Sequence, residues 1–181
     1  GYKISLSNKV AGLGGTAYYL RNQMNGAYYY PIGDQWVVSS KATLAHILGL
    51  GDDVNMPDRF FLGGQNLRGF EDNGVGPRDS VSTDSLGGEY MFNGTTEMRF
   101  PLGLPSEYQI AGTLFSDYGI LTELTPKDAN TIDKNALRAS VGVGISWVSP
   151  MGPIGLDWAF PVLKEDHDKT ESFRFSFGTR F

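Results

Sequence analysis

The chain has 181 residues and no cysteine, which excludes disulfide frameworks and thiolate metal sites. Its two histidines, His46 and His167, stand too far apart in sequence to suggest a ligand cluster. No metal, cofactor or catalytic residue is therefore expected. No stretch approaches the roughly 18 consecutive apolar residues of a membrane-crossing helix. An excess of positive charge is also lacking: the formal net charge is −5, and a nucleic-acid partner is not expected. The chain opens without a basic-plus-apolar leader, and Gly1 already lies in a patterned segment. We expect a segment of a longer mature protein. What is present instead is 24 glycines, 9 tyrosines and 11 phenylalanines, a composition suited to strands, tight turns and aromatic girdles.

The last eleven residues are the most informative. Phe173, Phe175, Phe177 and Phe181 share one face of a period-two strand, and Ser172, Arg174, Ser176, Gly178 and Arg180 share the other. Two faces this different separate an apolar medium from a wet one. In a water-soluble sheet such an end is an aggregation-prone edge. In a transmembrane β-barrel the terminal aromatic is an interfacial anchor.

The pattern predicts about eight strands: roughly 2–10, 17–30, 35–48, 89–100, 108–119, 137–148, 154–160 and the C-terminal strand. Alternation is clearest in the sixth, where Leu137, Ala139, Val141, Val143, Ile145 and Trp147 oppose Arg138, Ser140, Gly142, Gly144 and Ser146. The seventh sets Ile154, Leu156, Trp158 and Phe160 against Gly155, Asp157 and Ala159. Short turns rich in Pro and Gly (31–34, 101–106, 149–153) alternate with generally longer connections (11–16, 49–88, 121–135, 163–170). Such alternation is the topology of an outer-membrane barrel, with short turns on the periplasmic side and long loops outside. No helix is expected. A soluble β-sandwich stays open at this point, although it leaves the aromatic ends of one strand face unexplained.

The connection 49–88 is too long for an ordinary hairpin. Its centre, Arg59-Phe60-Phe61-Leu62-Gly63-Gly64-Gln65-Asn66-Leu67-Arg68-Gly69-Phe70, carries aromatics that a disordered loop does not favour. If it folds back into a barrel lumen, Arg68 needs anionic partners. Glu97, on the polar face of the fourth strand, and Asp117, near the end of the fifth, are the candidates. The alternative is that all three are solvated. A converged trio would be a structural lock, because an arginine between carboxylates favours the ionised form of both, whereas acid–base pairs need one raised pKa.

Leu67-Arg68-Gly69-Phe70 resembles the [VI]-R-G-[FY] signature in the long loop of BamA-type outer-membrane barrel-assembly proteins. Phe61-Leu62-Gly63-Gly64, Gly74-Val75-Gly76-Pro77-Arg78, the strand from Gly94 to Pro101 and Phe115-Ser116-Asp117-Tyr118-Gly119 follow the family order. So do Ser146-Trp147-Val148-Ser149-Pro150-Met151-Gly152-Pro153 and Phe175-Ser176-Phe177-Gly178-Thr179-Arg180-Phe181. Leu67 departs from the usual Val or Ile. The resemblance implies an all-β, antiparallel transmembrane β-barrel of sixteen strands, of which residues 1–181 are the C-terminal half. It implies a lumenal loop lock of Arg68, Gly69 and Phe70 with Glu97 and Asp117. It further implies that the last strand, with Phe175, Phe177, Gly178 and Phe181, forms one side of a lateral gate.

By the same resemblance the expected partners are outer-membrane lipids, unfolded outer-membrane protein clients, accessory assembly lipoproteins and POTRA domains. The implied function is insertion of β-barrel proteins into the bacterial outer membrane, without bond chemistry. Polypeptide secretion by a transporter with the same loop signature, and a passive structural barrel or pore, are the alternatives. A small closed barrel, however, has little room for the loop. An outer-membrane hydrolase would need paired acid–base groups or a nucleophile, for which two scattered histidines are a poor basis.

Overall fold

The computed structural model describes residues 1–12 and 17–178. The strands are β1 (Tyr2–Ala11), β2 (Tyr19–Pro31), β3 (Val37–Gly49), β4 (Arg78–Asp79), β5 (Tyr90–Pro101), β6 (Ile110–Thr122), β7 (Thr131–Ile132), β8 (Arg138–Ser149), β9 (Gly152–Leu163) and β10 (Phe173–Phe177). Eight of them form one antiparallel sheet in the order β1-β2-β3-β5-β6-β8-β9-β10. The expected eight-stranded antiparallel architecture is thus present, with strand ends displaced by one to three residues at most positions. The seventh runs to Leu163 rather than Phe160, because Pro161 still pairs with Ser140 of β8 and Leu163, beyond a register shift, with Ala139.

Three local features differ from the sequence reading. Two 3-10 turns occur, at Met56–Asp58 and Ser106–Tyr108, so Tyr108 ends a turn rather than starting a strand. Gln109, with φ +51°, reverses the chain into β6. Third, β4 and β7 pair with each other, Arg78 opposite Ile132 and Asp79 opposite Thr131. That pair joins two connections that sequence pattern treats as independent; two-residue strands are too short to show a period.

The tight turns (32–36, 102–109, 150–151) lie at one end of the sheet and the described long connections at the other, as an antiparallel meander requires. The outward faces are apolar and exposed: Phe173, Phe175 and Phe177 on β10, Val141, Val143, Ile145 and Trp147 on β8, Tyr2, Ile4 and Leu6 on β1. Trp36 stacks on Phe100 with ring centroids 5.5 Å apart near the tight-turn end. The concave faces carry the polar and small residues. Against them, at the long-loop end, sits the apolar core, where Phe60, Leu62, Leu67, Phe70 and Val75 of the long connection meet Tyr19, Ile47, Met91 and Leu121 of the wall. The loop therefore supplies much of the core itself. Below it an open space of about 780 Å³ is lined by residues including Lys41, Glu97, Arg99, Asp157 and Arg174.

The sheet is not closed: among the described residues β1 pairs only with β2 and β10 only with β9. Hydrocarbon does not tolerate unpaired strand edges, so in a membrane both edges need further strands.

Candidate functional site

The tip of the long connection, 67–71, reaches the concave wall through glycine. Gly69 has φ +93°, and a Cβ there would come within 3.0 Å of the Ser140 Cβ on β8. Only glycine lets the backbone reverse this close to the wall. The reversal puts Leu67 and Phe70 into the apolar core, each fully buried, and turns Arg68 between them toward the polar face of the sheet.

Arg68 is 5% exposed. Its Nε donates to Asp117 Oδ2 at 2.7 Å and its Nη2 to Asp117 Oδ1 at 2.8 Å, a fork-on-fork pair of the kind in which guanidinium geometry matters as much as charge. The backbone N–H of Arg68 donates to the same carboxylate at 3.0 Å. Nη1 donates to Glu97 Oε2 at 2.9 Å. The guanidinium carbon stands 3.4 Å from the ring centroid of Phe115, and the Ser140 hydroxyl donates to the Arg68 carbonyl. Burial works against the charge, but hydrogen bonds and charge from Asp117 and Glu97 outweigh it and hold the Arg68 pKa above its ordinary value. Asp117 is fully buried and Glu97 partly so. The structure thus brings Arg68, Gly69, Phe70, Glu97 and Asp117 to one place. Their alternation explains why: Glu97 and Asp117 both sit on inward positions of the neighbouring strands β5 and β6, two rungs apart in register.

Sequence reasoning missed a third carboxylate. Asp157 on β9, 2% exposed, has its Oδ1 3.7 Å from Arg68 Nη1. It was visible as the lone acid on the small-residue face of its strand. It missed, too, the tie between the loop tip and the β9–β10 connection. Glu71 N–H donates to Lys169 O, Lys169 N–H to Gly74 O and Glu171 N–H to Gly69 O, at 3.0 to 3.1 Å. Nearby, fully buried Arg138 on β8 donates to Asp168 at 3.0 Å and to the carbonyls of Lys134 and Ala136, clasping two long connections together.

The residues expected in the terminal strand are elsewhere. Phe175 and Phe177 point outward and are exposed, and Gly178 follows β10 with φ +75°. Phe181 lies outside the described residues. Among the described residues no hydrogen bond or ion pair joins this set to Arg68; in the sheet order β9 stands between β10 and β8.

The chain matches the Omp85 superfamily domain over residues 1–181. It is 35% identical, over its whole length, to the outer membrane protein assembly factor BamA of Neorickettsia risticii, of which it covers 24%. It is 24% identical to BamA of Neisseria meningitidis serogroup B, again over its whole length and 26% of that protein. The crystal structure of BamA from Haemophilus ducreyi lacking POTRA domains 1–3 superposes with a TM-score of 0.85 at 26% identity, over 97% of this chain and 37% of that one. The chain spans about a quarter of the length of these curated relatives. The exposed apolar faces, the inward polar faces and the two open edges are those of a barrel segment. The chain belongs to the Omp85 superfamily, as a BamA-type barrel segment of the bacterial outer membrane.

Proposed function

We propose that this segment carries the loop anchor and the working edge of an outer-membrane protein assembly factor. The observation that carries the reading is a loop tip pinned inside the wall by Arg68, in a sheet whose apolar faces point outward. Among the described residues strand β10 pairs with β9 from Phe173 to Phe177. In the intact barrel its free edge would face the first barrel strand across a seam. Opening that seam offers backbone N–H and C=O groups to a client strand, which adds by β-augmentation. No bond chemistry is required, only templated pairing and a locally weakened bilayer. Accessory lipoproteins and POTRA domains would deliver clients to the tight-turn end. The Arg68 anchor, with Glu97 and Asp117, would fix the wall while the seam moves.

The test is client insertion by the full-length protein reconstituted in lipid vesicles, with a photo-crosslinking residue in place of Ser176 on β10. Accelerated folding of an unfolded outer-membrane barrel, with crosslinks from position 176 to its terminal strand, is expected. A rate equal to that of empty vesicles would refute the proposal. Release of the client across the bilayer, rather than into it, would indicate polypeptide secretion instead.

A further inference from the structure

Arg68 touches more than the two wall strands that anchor it. Asp157 reaches it from β9, the strand that holds β10, and it does so across a position kept empty for it. A Cβ on Gly144, the β8 residue registered opposite Asp157, would fall 2.3 Å from Asp157 Oδ1. Any side chain at 144 would displace the carboxylate from its present position. Asp157 is also registered opposite Arg174 of β10. Arg174 in turn pairs with the loop itself, its Nη1 standing 3.1 Å from Asp72 Oδ1. The backbone ladder of Glu71, Lys169 and Glu171, with Phe70 bridged to Thr170, ties the loop tip to the connection between β9 and β10. The loop thus grips the terminal hairpin at three levels: on β9, on β10 and on the connection between them.

We infer that the long loop is a brace on the terminal hairpin, and that Asp157 is the positioning residue that shares the Arg68 charge between the wall and that hairpin. Withdrawing Arg68 from Asp117 and Glu97 would then free β9 and β10 as well as the loop. Loop position and strand pairing in the terminal hairpin form one coupled unit. The consequence for assembly rests on the proposed role of β10, but the coupling is measured without any client.

The experiment is hydrogen–deuterium exchange on the full-length protein in lipid nanodiscs, comparing wild type, Asp157→Asn, Arg68→Ala and the double variant. The buried ion-pair contact and local opening energies predict about tenfold faster exchange of residues 169–177 in Asp157→Asn, with residues 19–49 unchanged. In the Arg68→Ala background the same substitution should have a clearly smaller effect, because the contact between the two residues is already lost. Unchanged exchange at 169–177, an equal acceleration in both backgrounds, or a uniform acceleration of all strands would each overturn the brace. If Asp157→Asn does not fold, Asp72→Asn at an exposed position reads the same hairpin: faster exchange at 173–177 supports the brace and unchanged exchange overturns it. Client insertion measured in parallel separates the two readings. A loosened hairpin with unchanged insertion supports the brace and counts against the assembly role of β10; an unchanged hairpin overturns the brace whatever the insertion rate.

Discussion

Replacing Arg68 by alanine removes four side-chain interactions at once: the fork on Asp117, the bond to Glu97, the approach to Asp157 and the contact with the Phe115 ring. It also strands the carboxylate of Asp117, which is fully buried. Removing one partner of a buried pair costs about 3–5 kcal/mol, chiefly because the other charge is left uncompensated. Applied to loop docking, that is roughly two to four powers of ten in the equilibrium. The folded full-length barrel, followed by its heat-dependent mobility shift on a semi-native gel, should unfold at a lower temperature. Arg68→Lys should recover only part of the loss, since a point charge cannot fork onto Asp117 and reach Glu97 together. Adding Asp117→Asn to Arg68→Ala should restore some stability by removing the stranded charge. An unchanged mobility shift in Arg68→Ala would refute this reasoning. So would an Asp117→Asn effect of the same size with and without the arginine.

Two further outcomes follow from the geometry. A Cβ on Gly94 of β5 would lie 2.3 Å from the Tyr118 ring on β6, so Gly94→Ala should cost about 1–3 kcal/mol of unfolding free energy and lower the unfolding midpoint; Gly26→Ala, with no atom within 4 Å of its Cβ, should stay within about 0.5 kcal/mol. In the connection between β9 and β10, burial holds the His167 pKa below its ordinary value, and its Nε2 lies 3.2 Å from the donor-only Nη2 of Arg138, which requires a neutral ring. The unfolded state therefore binds the extra proton first, so the stabilisation is full above pH about 6.5 and falls as the pH drops from there toward the folded value. Proteolytic nicking within 164–172 should increase between pH 7.5 and 5.5, and His167→Gln should flatten that dependence.

The strands were legible because most of them alternate over much of their length, β8 most clearly, and parity then separates the inward from the outward face. That parity put Glu97 and Asp117 on the inside, and the aromatics around Arg68 marked a loop that packs. Asp157 also had the correct parity, yet nothing in its own strand showed which loop residue it meets. Convergence across β5, β6 and β9 depends on register, which is set pair by pair along the meander. The Arg138–Asp168 clasp was hidden for a related reason. Its acid lies in a connection with no periodicity, and only the antiparallel return of β9 brings that connection beside the start of β8. The pairing of β4 with β7 had no signal at all, since two residues cannot display a repeat.

The meander and the arginine impose different orders on the growth of the fold. Each strand of the sheet follows its neighbour in sequence, so pairing can advance one hairpin at a time with little loop entropy to overcome. Arg68 cannot be satisfied in that way. The contacts of this one residue span 29 positions to Glu97, 49 to Asp117 and 72 to Ser140. The full set exists only once β5, β6, β8 and β9 stand in register. Docking of a single side chain therefore reports, at one point in space, that four strands have been assembled correctly.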